Sequence, residues 1–447
     1  MTHAAGSERP PGPRGHWLFG NTEEYDRDRN AFLERCHREY GDVFSFDART
    51  IVVSSPDQVH ALLTRTNRDF LAENSPLAGS TDTERMAADA ELWTTTRRAG
   101  WQGLHRRVAQ AHAERLREIF LKTVGDGEID VLATMADFFG RATADFCLSA
   151  DAEGVPETLA ENVAAIDPLS RDSLQLPPWW PSRKVRRFAR SRKRLLALMT
   201  DIVRRRRLAG GTAGDTAGDT AGDTAGDTAA QDLLGVLLAP GDQQLSDLQI
   251  ERFLRGIMLA ALGVPAAALT WIVYELSTRP DVLARLEAEA ASAGEVPVMG
   301  DLPYTEAFVK EVLRLWPPTW LIGRTVRHET ELEGWRLKTG DQVLFSLYRL
   351  HRDPRWWSDP DQLVPERWLD PRAVPVRHTY LPFGAGPRVC VGTQLGMMQL
   401  TLATAWLVGG MSLARTRETA MVPDFSGLLV PRDLRVRLER KAVRQGA

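Results

Sequence analysis

The most reactive group in this sequence is a cysteine in a glycine-rich loop that directly precedes a helical pattern. Cys390 lies in the segment from Phe383 to Gly392, which we call the cysteine loop. A helix N-terminus there favours a thiolate over a thiol, because the helix dipole and unpaired N–H groups stabilise the anion. Glycines such as Gly384 and Gly392 would let the backbone approach a flat cofactor without a side-chain clash, while Phe383 could shield one side of the sulfur.

The other two cysteines indicate no further chemistry. Cys36 and Cys147 lie in helical patterns without glycines, and we interpret them as inert buried thiols. Three widely separated cysteines cannot form a disulfide framework or a Cys-x-x-Cys metal site. We therefore expect a cytoplasmic protein without a signal peptide or membrane anchor.

Five segments of the chain, in the expected order, resemble the cytochrome P-450 family. The cysteine loop matches its haem-binding signature, Phe-x-x-Gly-x-Arg-x-Cys-x-Gly, at every fixed position. Glu311 and Arg314 match its Glu-x-x-Arg helix, and Arg367 matches the arginine that completes a buried Glu–Arg–Arg network. Residues 10–15 resemble the proline-rich entry hinge, and residues 350–354 a familiar segment ahead of the signature.

The resemblance implies a haem b cofactor with Cys390 as the axial ligand of its iron. A thiolate ligand pushes electron density toward bound dioxygen and favours cleavage of the O–O bond. The two haem propionates need cationic or hydrogen-bonding partners when they are buried.

Position in the family pattern makes Arg388 and Arg324 candidate propionate partners. A third partner usually comes from a Trp-x-x-x-Arg helix, but here Trp101 is followed four residues later by His105, with Arg106 next. His105 and Arg106 are therefore both candidates, and the alternative is that both lie on a solvated helix face.

Periodicity predicts a chain that is mainly α with small β-sheets near the start and after residue 330, and the resemblance implies that residues 1–447 form a single cytochrome P-450 domain. We expect short strands over 43–47 and 51–54 and a strand-rich stretch over 331–348. The expected long helices cover residues 131–148, 191–207, 246–277, 280–293, 304–315 and 392–408, with shorter ones over 31–40 and from 55 onward.

Two unusual segments lie in the middle of the chain. The run 183–194 and the run 204–207 are strongly basic, and we interpret them as the solvated face and the cationic C-terminal end of an amphipathic helix. The alternative is a surface for a membrane or an acidic partner. Residues 212–229 repeat Thr-Ala-Gly-Asp, and we expect a flexible loop because such residues bury too little apolar surface.

The central helix departs from the family pattern at its functional centre. Its uncharged stretch 256–274 is interpreted as a buried core helix rather than a membrane span. Where the family places an acid and a threonine that pass protons during O–O cleavage, this chain has Gly263 and Val264, and neither can relay a proton. Thr270 lies too far along the helix, and we interpret it as bonded back to its own helix.

Pro265 is expected to add a second change, since it removes the N–H that would bond to the Ala261 carbonyl. The opening could hold ordered water beside the iron, or a hydroxyl or carboxylate of the substrate could supply the missing relay. Poor coupling with loss of peroxide is the alternative. A further alternative is that the enzyme uses peroxide directly, or that it rearranges or dehydrogenates its substrate without inserting oxygen.

The predicted function is oxidation of a hydrophobic small molecule, a terpenoid, polyketide or fatty-acyl type, with dioxygen and two electrons. Ferredoxin or flavodoxin with its reductase is the expected electron donor. A net charge of −3 argues against nucleic acid as a partner, and we expect no membrane partner and a monomer. A haem-binding sensor or carrier without turnover is the competing class. The expected pocket residues are Ala260, Val264, Thr319, Trp320, Leu321, Ile322, Leu428 and Leu429.

Overall fold

The computed structural model describes residues 9–16, 20–72, 82–171, 182–215, 232–239, 244–370, 372, 376–416 and 421–441. These residues form one mainly helical domain with small sheets. The helices are α1 (Thr22–Arg27), α2 (Arg29–Tyr40), α3 (Pro56–Thr64), α4 (Thr83–Gly100), α5 (Arg106–Ala111), α6 (Ala113–Thr123), α7 (Val131–Leu148), α8 (Val155–Ser170), α9 (Arg183–Asp215), α10 (Leu233–Leu238), α11 (Asp247–Thr278), α12 (Pro280–Ser292), α13 (Pro303–Leu315), α14 (Leu347–Leu350) and α15 (Thr393–Gly410).

The strands form one five-stranded sheet and three smaller ones. The large sheet has the order β1-β2-β8-β5-β3, in which only β2 and β8 run parallel, and β4-β12-β9, β6-β7 and β10-β11 form the others. The strands are β1 (Val43–Ser45), β2 (Thr50–Val53), β3 (Phe70–Ala72), β4 (Gly127–Asp130), β5 (Leu321–Val326), β6 (Thr330–Leu332), β7 (Trp335–Leu337), β8 (Gln342–Ser346), β9 (Met411–Arg415), β10 (Pro423–Asp424), β11 (Val430–Pro431) and β12 (Arg435–Arg440).

Helix α11 is the centre of the fold. It begins at a capping box, in which Ser246 and Gln249 satisfy each other's backbone N–H groups. It packs against α7, α9, α13 and α15, and its second half is buried almost throughout. The helix is long and apolar enough to cross a membrane, but most of its apolar window is buried inside the protein. The prediction of a core helix is therefore confirmed.

The predicted elements are confirmed, with one correction in α9. The helix continues to Asp215, so the run Arg204–Arg207 is not its C-terminal end and gains nothing from the helix dipole. The first residues of the Thr-Ala-Gly-Asp repeat, 212–215, also belong to this helix. Residues 216–229 lie outside the described residues, and a flexible loop there stays a prediction.

Candidate functional site

The cysteine loop is held in place by its own backbone and by α3. The Cys390 N–H donates to the Phe383 carbonyl at 2.8 Å, and the Gly384 N–H to the Leu381 carbonyl at 2.9 Å. Gly386 has a φ of +69°, and a Cβ there would lie 2.3 Å from the Leu63 carbonyl oxygen. This position requires glycine both for its conformation and for the close approach of α3.

The Cys390 thiol is accessible and close to positive charge. Removal of water by the surrounding protein raises its pKa, while the Gly392 N–H, the Arg97 guanidinium and the Thr393 hydroxyl act in the opposite direction. The Gly392 N–H at the helix terminus thus favours the thiolate as predicted, while desolvation is the larger effect on the pKa and opposes it. A bound metal cation would deprotonate such a thiol outright.

Arg388 of the cysteine loop lies close to Arg97 of α4. Arg97 of α4 donates to the Pro387 carbonyl at 3.1 Å, and burial together with the charge of Arg97 lowers the pKa of Arg388. The Nε of Arg388 is buried without a hydrogen-bond partner, and among the described residues no carboxylate lies within 4.0 Å of either guanidinium. Two adjacent partly buried cations of this kind fit the two carboxylates of a haem.

The other predicted propionate partner, Arg324, lies on the large sheet. Arg324 of β5 is buried, donates from Nε to the Thr66 hydroxyl at 3.0 Å and bonds the Gly323 carbonyl at 2.8 Å. These bonds fix the orientation of its guanidinium. The sequence-based candidates Arg388 and Arg324 are thus both placed on well-supported backbone.

The sequence candidates for the third propionate partner lie at the surface. Trp101 is 43% exposed, and His105 and Arg106 are exposed at the start of α5. Among the described residues, no hydrogen bond or ion pair joins His105 or Arg106 to the cysteine loop, and their role as propionate partners stays a prediction. Arg97 is bonded to this loop, and its guanidinium lies 5.4 Å from the centre of the Trp101 ring.

The Trp-x-x-x-Arg spacing itself could have identified Arg97, since Trp93 precedes it by four residues on α4. Trp93 lies between the cysteine loop and the central helix. Its ring centre is 5.6 Å from the Arg388 guanidinium, and a Cβ at Gly256 would meet it at 3.7 Å. Trp93 thereby connects the cysteine loop to α11, and we call the region between these two elements the cleft.

The predicted Glu–Arg–Arg network is formed between α13 and the segment that precedes the cysteine loop. Glu311 and Arg314 are fully buried and joined by bonds of 2.8 and 3.0 Å, and Arg367 donates to Glu311 at 3.2 Å. Trp368 adds a bond of 2.9 Å to the same carboxylate. Arg314 also donates to three backbone carbonyls of residues 351–362, so the network fixes the segment that leads to the cysteine loop.

Apolar residues of α11 face the opposite side of the cleft. Ala260 is exposed and Gly263 and Val264 are half-buried, whereas residues 266–273 are buried. Accessible apolar groups in the middle of a core helix require an internal space beside them. Thr319 is also exposed and Ile322 half-buried, while Leu321 and Leu429 are buried in the surrounding core.

The C-terminal turn fills the position of the missing acid. A Cβ at Gly263 would meet the Leu428 side chain at 3.2 Å, so Leu428 occupies the space that a larger residue would need. Indole N–H groups of Trp320 and Trp271 donate to the carbonyls of Gly427 and Leu429 at 3.0 and 2.9 Å. Trp320 is therefore an anchor of this turn, and the relay position is apolar and closed.

The expected unpaired carbonyl at Ala261 is wrong. The Thr143 hydroxyl of α7 donates to it over 3.5 Å, a long bond at the outer limit of hydrogen-bond geometry. The carbonyl freed by Pro265 thus has a donor from the neighbouring helix, which removes the motive for placing water there. Thr270 is bonded to the Ala266 carbonyl at 2.7 Å, and its predicted back-bonding is confirmed.

Comparison with known proteins gives many relatives in sequence, including the following three. The chain is 42% identical over 188 residues to cyclooctatin synthase from Streptomyces melanosporofaciens, covering 40% of this chain and 41% of that protein. It is 34% identical over 221 residues to pentalenene oxygenase from Streptomyces avermitilis, covering 46% and 48%. These two matches span less than half of each relative. Ferruginol synthase from Salvia miltiorrhiza is 25% identical over 467 residues, covering 94% and 90%.

The fold comparison covers the chain more completely. The retinoic-acid-bound cyanobacterial CYP120A1 superimposes with a TM-score of 0.78 at 20% identity, covering 97% of this chain and 99% of that chain. At this identity the likeness shows the fold. The family profile of Cytochrome P450 matches residues 10–435. Because this profile spans nearly the whole sequence, the chain belongs to the cytochrome P450 family, whose cofactor is a haem held by a cysteine thiolate.

Proposed function

We propose that this protein is a monooxygenase that hydroxylates or epoxidises an apolar terpenoid with dioxygen and two electrons. One observation supports this above all: the accessible Cys390 thiol lies beside two partly buried arginines, in a cleft whose other side is apolar. Such a cleft combines a metal ligand, two cationic anchors and a water-poor space for a hydrophobic substrate.

The residues of the cleft divide the cofactor's binding between them. When haem b is bound, the Cys390 thiolate would hold its iron, and Arg388, Arg97 and Arg324 would pair with its propionates. Phe383, Gly384 and Gly392 shape the loop around the sulfur. The haem supplies activation of dioxygen and transfer of one oxygen atom to a C–H or C=C bond.

The substrate class follows from the residues opposite Cys390. Ala260, Val264 and Ile322 offer only aliphatic surface, and Leu428 closes the space over Gly263. Thr319 adds an accessible hydroxyl at the edge of this surface. Cyclooctatin synthase and pentalenene oxygenase, which match this chain in part, act on terpenoids, and this favours a terpenoid over a polyketide or fatty acyl group.

A proton must reach the reacting oxygen without the usual acid and alcohol. Neither Gly263 nor Val264 has an acidic or hydroxyl group that could donate a proton. The Thr143 hydroxyl of α7 already donates to the Ala261 carbonyl. A hydroxyl of the substrate itself is therefore the proposed donor. We infer that the substrate is an already hydroxylated terpenoid alcohol rather than the parent hydrocarbon.

Electrons come from a separate ferredoxin or flavodoxin and its reductase, and the protein acts as a cytoplasmic monomer. Cytochrome P450 enzymes use small substrates and redox partners, and the identity of the donor is part of this proposal.

The test is turnover of the purified holoprotein with ferredoxin, ferredoxin reductase and NADPH. A panel of cyclic terpene hydrocarbons, their monohydroxylated derivatives, a macrolide aglycone and a fatty acid would be compared. We expect a spectral shift on binding and oxygenated product from the terpenoid alcohols alone. Product from the fatty acid alone would contradict the substrate class.

The closed relay position favours one second candidate, direct use of peroxide. Replacing the reductant and protein partners by hydrogen peroxide tests it on the same substrates. Product formation with peroxide, together with none from the reconstituted system, would replace the dioxygen reaction by the peroxide reaction.

A further inference from the structure

Helix α9 carries a row of exposed cations in its first three turns. The segment 183–194 contains eight Lys and Arg residues and no acidic residue, in a protein of net charge −3. With 3.6 residues per turn, five of them share one exposed face. These five residues, which we call the basic stripe, are Arg183, Arg186, Arg187, Arg190 and Lys193.

The basic stripe lacks intramolecular compensation. Among the described residues, none of its five side chains has a carboxylate within 4.0 Å, although the adjacent Arg194 pairs with Glu161 at 3.0 Å. Its members are spaced three or four residues apart, so each cation has another cation as its helical neighbour. Such like-charge pairs destabilise a helix.

The second basic run of the same helix is arranged differently. Arg204 and Arg205 both bond Asp201, at 3.2 and 3.0 Å, and Arg206 bonds Asp151 and Asp232. This run is neutralised by carboxylates of the protein itself. The sequence was interpreted as a solvated face and a cationic helix end, and the structure shows that the two runs differ in their carboxylate partners.

The basic stripe begins near the turn that closes the substrate cleft. Lys184 Nζ lies 3.5 Å from the Pro168 carbonyl at the end of α8, and Arg171 just beyond that helix bonds Asp424 at 3.2 Å. Asp424 opens the C-terminal turn that carries Leu428 over Gly263. Val422, beside this turn, is 54% exposed and offers an apolar contact near the same edge.

We propose that the basic stripe docks this protein peripherally on an anionic phospholipid surface. A row about 15 Å long of flexible cations without interspersed acids suits a layer of phosphate headgroups. The position of the stripe beside the cleft favours a lipid surface over nucleic acid or an acidic protein, because apolar substrates partition into lipid. The choice of lipid rests on the apolar substrate of the proposed function, whereas the attachment itself does not depend on which apolar compound is oxidised.

The experiment is co-sedimentation of the holoprotein with phosphatidylcholine vesicles, with and without phosphatidylglycerol, at low and high salt. We expect binding only to the anionic vesicles and release by salt, because screening weakens headgroup attraction. The double variant R186Q/R190Q should bind roughly thirtyfold more weakly, at about fivefold per cation.

The matched control is R204Q/R205Q, which removes the same charge from the same helix. Its binding should stay within about threefold of the unchanged protein, because those arginines already face carboxylates. Helical content and haem absorption of both variants check that each is folded.

Three results would overturn the proposal. These are no sedimentation with anionic vesicles at low salt, equal losses in the two double variants, and tighter binding to RNA or polyglutamate than to the vesicles. None of these results bears on the oxidation reaction, which is measured separately.

Discussion

The two sides of the cleft differ in how closely they follow the family pattern. The side of Cys390 keeps the residues of the haem-binding signature and the Glu–Arg–Arg network, which are held by a backbone bond to Phe383 and by side-chain bonds to Glu311. The side of α11 has lost its acid and its alcohol, and Leu428 occupies part of the vacated space. The comparison indicates that cofactor binding is retained while proton delivery has been reorganised.

The largest effect is expected at the sulfur. Cys390→Ala removes the proposed thiolate ligand, so the reduced, carbon monoxide-treated protein should lose its strongly red-shifted Soret band entirely. Cys36→Ala is the control, because that thiol is buried in the core and should leave the spectrum unchanged. An unaltered spectrum in the Cys390 variant would refute the site assignment.

The next effect concerns the buried network. Glu311→Gln leaves the charge of fully buried Arg314 uncompensated, and we expect a loss of about 3–5 kcal/mol in the free energy of unfolding. Denaturant titration measures this loss. Glu306→Gln on the same helix breaks only the partly exposed pair with Lys310 and should cost less than about 1 kcal/mol. Equal costs would show that the network contributes nothing special.

A smaller effect separates Arg97 from Arg106. Arg97→Gln removes a charge-assisted bond to a propionate, and we expect about 2 kcal/mol weaker haem binding, or roughly thirtyfold faster haem loss. Transfer of haem to apomyoglobin measures the rate. Arg106→Gln should change it by less than about twofold, since Arg106 is exposed. Faster haem loss from the Arg106→Gln variant than from the Arg97→Gln variant would instead support Arg106 as the propionate partner.

The smallest effect is expected on the α11 side. Val264→Thr restores the alcohol but not the acid, whose space is closed by Leu428, so product per reductant consumed should change by less than about twofold. Val273→Thr is a buried control on the same helix, remote from the relay position. A large gain in coupling with Val264→Thr would show that the protein lacks any substitute relay.

Local patterns predicted the parts of the site that lie close together in the chain. The cysteine loop, the Glu311–Arg314 pair and α11 follow from short spacings and periodicity, and the structure places each of them as expected. Arg97 was missed although Trp93 and Arg97 fit the Trp-x-x-x-Arg spacing, because the motif was assigned to Trp101, which has a histidine at the fourth following position. The Thr143 bond to Ala261 joins two helices far apart in the chain, so no local pattern could reveal it.

Residue type and spacing were therefore sufficient for the family, the cofactor and the loss of the usual relay, because each depends on chemistry within a few residues. Burial and contacts between distant segments decided the rest. They set Arg97 beside Arg388, put Leu428 over Gly263, and paired Arg206 with Asp151 and Asp232 while leaving the basic stripe without carboxylates. Charge compensation and steric closure depend on distances in space, and those exist only once the chain has folded.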